Sequence, residues 1–235
     1  KRYQDAVWQQ EASARVDHSH MIRDLILPDQ IHNFAHNNEW LIRNLNFLGR
    51  INDAVALAKN MIELPRHPKI NTLAKLDSPT EYGKRGSARY GRSRLIETLL
   101  RYEMWEEIIQ LSQTVYLADT TIPEEQAKRL AALGAAHYSL GQEDKGSEAL
   151  KEIENISIKL KQLKLEASAK AEEKARAEKK SDNDINKAMV EAMNKFNNRF
   201  KTINQYKAEL LVYDSIHNKD EDTFKNQLKK ATRIA

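Results

Sequence analysis

The chain has 235 residues, of which 31% are charged and only 7% aromatic, with seven Gly, five Pro and no Cys. That composition suits long helices with few turns, and the missing cysteines exclude disulfides, zinc thiolate centres and cysteine nucleophiles while leaving cytoplasmic and exported locations both open. The formal charge is +4, and no apolar run approaches the ~18 residues of a bilayer-spanning helix, so no membrane insertion is expected.

The first residues, KRYQDAVWQQ, start on Lys1 and lack an apolar signal-peptide core. We expect the chain to be a piece of a longer protein. Residues 1–37 form an N-terminal helical segment that carries four of the seven histidines, His18, His20, His32 and His36, with Asp17 and Asp29 close by. Pro28 is expected to start a helix on which His32 and His36, four apart, share a face and could share a metal or haem, with His18 and His20 as further ligands. The HxxxH spacing lacks the Glu that an HExxH motif supplies as general base. The alternative is that both rings pack against the next hairpin, satisfied by backbone or by Asn37 and Asn38. No bound cofactor is required by either pattern.

From residue 38 the apolar spacing becomes that of helical hairpins. Leu41, Leu45 and Leu48 precede Gly49, and Ala54, Leu57, Ala58 and Met61 follow it, up to Pro65. A glycine at that place suits a helix C-terminus. Residues 66–91 show no convincing helical period, only a short turn around Thr72 to Leu76, and a connection of roughly 25 residues is uncommon unless functional or disordered. Between Arg66 and Arg94 eight Lys and Arg face only Asp77 and Glu81. This one region therefore carries more than the net charge of the chain, and the remainder is slightly acidic.

A second hairpin follows, with Leu95, Leu99 and Tyr102 before a turn near Glu103 and Trp105, Ile108, Ile109 and Leu111 after it. In the third, Leu130, Leu133, Gly134 and Tyr138 precede Gly141, and Gly146, Leu150 and Ile153 follow. Residues 155–206 interrupt the spacing. Ile153, Ile156, Leu160, Leu163, Ala167 and Ala171 form one stripe, and Ile185, Met189, Ala192, Phe196, Phe200, Ile203 and Leu210 another. Joined by a polar turn with Ser181 or Asp182 as N-cap, they read as an antiparallel coiled-coil hairpin with an arm of about 37 Å. Its alanine-rich tip is expected to be held less firmly than its base. Residues 207–235 form the last hairpin, with Leu211, a turn at His217 to Asp220, then Phe224, Leu228 and Ala231. Leu228 and Ala231 need a neighbour or stay partly exposed.

Recurring hairpins imply a repeat architecture. The order Leu133-Gly134, Gly141 and Leu150, and in the first hairpin Gly49, Ala54 and Pro65, resembles the tetratricopeptide repeat. Trp40 is displaced from the aromatic position of that family, Gly146 stands in place of its alanine, and the second and fourth hairpins lack the turn glycine. The resemblance implies an all-α fold, a tetratricopeptide-like right-handed α-solenoid with a projecting antiparallel coiled-coil hairpin, and a protein-binding role.

Catalytic patterns are missing. There is no GxSxG elbow and no GxxxxGK[ST] loop, and the pairs Glu106/Glu107 and Glu124/Glu125 sit at helix starts, where they favour the dipole. No active site is expected in this chain. The GKRG at Gly83 to Gly86 resembles the backbone clamp of KH domains, but that clamp needs an α/β setting, so nucleic acid is not the expected partner. The arginines Arg85, Arg89, Arg92 and Arg94, with Tyr82 and Tyr90, are instead expected to make a cationic rim for an acidic peptide, a protein surface or another domain of the same chain. Their structural alternative is to cap helices or cross-link neighbouring hairpins. The expected function is a protein-interaction or scaffold module of a larger protein. The alternatives are a metal- or haem-binding module using the histidines, or an accessory domain of an enzyme whose catalytic part lies elsewhere.

Overall fold

The computed structural model describes residues 2–67 and 86–234, and among these it is all-helical, with no strand. The chain divides into two compact units, Lys1–Ile122 and Pro123–Ala235. One core joins the third hairpin to residues of the inserted arm and the last hairpin, across the expected boundaries at 154/155 and 206/207.

In the first unit, α1 (Tyr3–Asp24) packs on α2 (His32–Phe47), α2 on α3 (Ile51–Glu63), and α3 and α2 on α4 (Ser87–Arg101), which leads into α5 (Trp105–Leu111). Pro28 starts only a 3-10 turn, Pro28–Gln30, so α2 begins four residues later than Pro28 suggested. Leu41, Leu45, Ala54, Ala58, Met61, Leu95, Leu99 and Ile108, on the apolar faces that the spacing selected, are buried, and so is Ile42. The basic connection is shorter than expected, because Ser87 to Gly91 are the first turns of α4. A Cβ on Gly91 would lie 2.6 Å from the Ala58 carbonyl oxygen and 2.8 Å from Met61 Cβ. Gly91 is thus the point of closest approach between α3 and α4, and not part of a mobile path. Residues 72–76, with most of the basic loop, lie outside the described residues.

The second unit holds α6 (Pro123–Ser139), α7 (Glu143–Ala177), α8 (Asp182–Asn194), α9 (Asn197–His217) and α10 (Glu221–Ile234). Its core, Ala127, Leu130, Tyr138, Ala149, Ile153, Leu160, Ile203 and Leu210, comes from α6, α7 and α9. The helix α7 runs through 154/155 without a break, so one 35-residue helix serves both the third hairpin and the arm. Ser181 caps α8 as expected, its Oγ accepting from the Asp184 amide at 3.3 Å. Along the arm, Ser168, Ala175 and Ile185 are buried, whereas Leu163 is 47% exposed, so the buried seam steps off the expected stripe above Leu160. The second stripe is also divided: the Phe196 amide bonds to the Met193 carbonyl at 3.1 Å, a tightened turn that separates α8 from α9. Leu228 stays 43% exposed.

One turn recurs. Gly49, Glu103, Gly141, Lys179 and Lys219 all have φ between 53° and 72°. In each case the next amide reaches back five residues, as from Arg50 to Leu45 at 3.0 Å and from Met104 to Leu99 at 2.9 Å. The amide of the left-handed residue itself bonds three residues back. This pair of bonds is the Schellman motif, which satisfies the last carbonyls of the helix. The residues that follow, Arg50, Met104 and Gln142, have ψ of 64°, 63° and 65°. Three hairpins therefore turn with the same backbone, although Glu103 stands where the other two have glycine.

Candidate functional site

Opposite the buried face of α2 runs a stripe of His36, Trp40, Arg43 and Phe47, spaced by four, three and four residues, which a 3.6-residue period places on one side. Trp40 is 38% and Phe47 39% exposed, and Arg43 is exposed. The Arg43 guanidinium lies 4.8 Å from the centroid of Trp40 and 5.8 Å from that of Phe47. Arg101, at the end of α4, adds a second guanidinium 5.2 Å from the Phe47 ring. Tyr3 of α1 stacks on Phe47 with centroids 4.5 Å apart. A cation held over a ring face is attracted by the ring quadrupole, and arginine does this with its flat side.

Above Trp40 the stripe continues into a polar network. Trp40 Nε1 donates to His36 Nε2 at 3.1 Å, and the other ring nitrogen, Nδ1, faces Glu39 Oε2 at 3.5 Å. Glu39 accepts from Arg94 Nη2, and Arg94 Nη1 donates to Glu97 at 2.6 Å. The Arg94 side chain is only 17% exposed. Burial by itself would lower its pKa, but the Glu97 charge and the hydrogen bonds to Glu39 and Glu97 outweigh this and raise it above the ordinary arginine value.

The six residues expected to form a cationic rim divide accordingly. Arg94 cross-links α2 to α4. Arg89, Tyr90 and Arg92 sit half-buried on the first turns of α4, with the Tyr90 ring 6.4 Å from His36. Tyr82 and Arg85 lie outside the described residues. Neither Arg43 nor Arg101 was among the sequence candidates.

The histidines spread apart. His18 packs against Phe34 with centroids 5.8 Å apart, and His20 Nε2 lies 2.7 Å from Asp24 on the same helix. His32 is the first residue of α2, four before His36, but its side chain lies outside the described structure. Among the described residues no three His, Asp or Glu side chains converge as a metal site would require. Nor is any described helix long and apolar enough to cross a membrane. Comparison with family models, with curated proteins and with solved structures finds no match to this chain.

Proposed function

We propose that the chain is a non-enzymatic protein-interaction or scaffold module, built of tetratricopeptide-like hairpins in a right-handed solenoid and carrying an antiparallel coiled-coil arm made by α7 and α8. The observation that carries this reading is the turn at Gly49, Glu103 and Gly141, which repeats in backbone angle and hydrogen bonding through three hairpins of unlike sequence. Stacked units with a common turn bury their shared core between neighbours and leave one helix face free for a partner. In the first unit that face is the α2 stripe, where Trp40, Phe47 and Arg43 remain exposed. Aromatic and arginine residues are the side chains that most often anchor protein contacts.

The test is a panel of labelled peptides of acidic, basic, proline-rich and apolar composition, titrated against the full chain by fluorescence anisotropy. Hydrogen exchange on each saturated complex then maps the contact. Saturable binding that protects α2 and α4 supports the module. Absence of binding by every class, or protection confined to regions outside the hairpins, refutes it.

A further inference from the structure

We infer that the α2 stripe together with Arg101 is a site for carboxylates, and that the partner is an acidic peptide. The inference rests on the interaction-module reading and adds the chemistry and the residues.

The argument starts from the guanidinium groups. Arg43 and Arg101 are exposed, both lie within 6 Å of the Phe47 centroid, and neither has a carboxylate partner among the described residues. Two further arginines of the first unit are already engaged: Arg50 with Asp53 at 2.6 Å and Glu11 at 3.2 Å, and Arg94 with Glu39 and Glu97. A guanidinium near a ring face is attracted by the ring quadrupole and keeps N–H donors that the ring cannot satisfy. Those donors match a carboxylate bidentately, and contact with the ring restricts side-chain freedom that binding would otherwise have to remove. Two such guanidiniums beside one ring suit a peptide that carries more than one carboxylate.

The same geometry disfavours nucleic acid. Single strands bind by stacking bases on open aromatic faces. Here Arg43 lies over the Trp40 ring and Tyr3 stacks on Phe47, so part of each ring surface is already taken. Phosphates could still meet the arginines, so a nucleic-acid probe belongs in the test.

The probes are a short labelled peptide of alternating glutamate and serine, its glutamine and lysine counterparts, and a short oligouridylate, each titrated against the full chain at low and moderate salt. The glutamate peptide is expected to bind at least tenfold tighter than the others. Arg43→Ala and Arg101→Ala are each expected to weaken it about tenfold. Arg43→Lys should lose nearly as much, because lysine keeps the charge but neither stacks nor forks. Both side chains are exposed, so folding is not at stake, and circular dichroism checks it.

Equal binding of the glutamate peptide by wild type and both alanine variants overturns the inference, as does full rescue by Arg43→Lys or tighter binding of oligouridylate. If a lysine or apolar peptide binds on α2 and α4 while the glutamate peptide does not, the interaction module stands and the carboxylate site falls. If nothing binds, both fall.

Discussion

The recurring turn gives a sharp test, because its geometry is met by glycine in some hairpins and by larger side chains in others. Glu103 and Lys219 sit at φ of 53° and 54°, where a Cβ crowds the following carbonyl at a cost of roughly 1–2 kcal/mol. Replacing either with glycine removes that cost but adds about 0.5–1 kcal/mol of chain entropy to the unfolded state. The net expectation for Glu103→Gly and for Lys219→Gly is a gain of about 0.5–1 kcal/mol each. In a unit of this size that is a rise in melting temperature of roughly 2–4 °C. Gly49→Ala and Gly141→Ala should lose a similar amount. A Cβ at either position meets nothing within 4 Å, so the loss isolates the backbone angle from packing. Glu103→Ala is the control, and should change stability by only a few tenths of a kcal/mol, because alanine keeps the strained angle.

The assay is urea unfolding followed in parallel by tryptophan fluorescence and far-ultraviolet circular dichroism. All three tryptophans, Trp8, Trp40 and Trp105, belong to the first unit. Glu103→Gly should therefore move the fluorescence transition, whereas Lys219→Gly, in the second unit, should appear in the dichroism alone. Destabilisation by Glu103→Gly equal to or beyond that of Glu103→Ala would refute the assignment of strain to that turn.

Other outcomes follow from packing and charge. Gly91→Ala drives a Cβ against the Ala58 carbonyl and should destabilise the first unit by about 1–2 kcal/mol net, after the better helix propensity of alanine is credited; urea midpoints measure it. Gly134→Ala meets the flexible end of the Leu210 side chain at 2.6 Å and, at 3.2 Å, the fixed Ala149 Cβ, and should fall within about 1 kcal/mol of wild type in the same measurement. Arg94→Ala leaves Glu39 half-buried without its guanidinium and should cost about 1–2 kcal/mol, part of which returns in the double variant with Glu39→Ala. Burial raises the Glu209 pKa, against the opposing effects of Gln205 and Lys128. A carboxyl whose folded pKa exceeds its unfolded value stabilises the fold while protonated and loses that contribution as pH rises through the folded value. Glu209→Gln should therefore stabilise the second unit at neutral pH and flatten its stability profile on the acid side, read from melting temperatures across pH.

The hairpins were legible because their apolar spacing states a helix face directly: Leu41, Leu45, Ala54 and Ala58 fall where the spacing put them. The turns were half legible. Gly49 and Gly141 announce themselves, whereas Glu103 and Lys219 adopt the same angle with no residue preference to signal it, since flanking helices impose it. Gly91 misled, because a glycine among arginines reads as loop, and only the neighbouring helix reveals why a side chain is excluded there. The all-helical class was legible throughout; the two-unit division was not, because it depends on which faces of α6, α7 and α9 meet. The stripe of His36, Trp40, Arg43 and Phe47 was overlooked although its spacing is as regular as that of the core. The signal was available in its position opposite Leu41 and Leu45, but Trp40 was weighed only as an irregular member of the hairpin pattern.

The continuity of α7 has a mechanical consequence. Its first half is clamped in the second unit by Ala149, Ile153 and Leu160, and its second half meets α8 through Ser168 and Ala175. No turn or glycine between Ile153 and Ala177 offers a hinge. A load applied to the end of the arm would be carried along one unbroken helix to Ile153 and Leu160, inside the core built with α6 and α9.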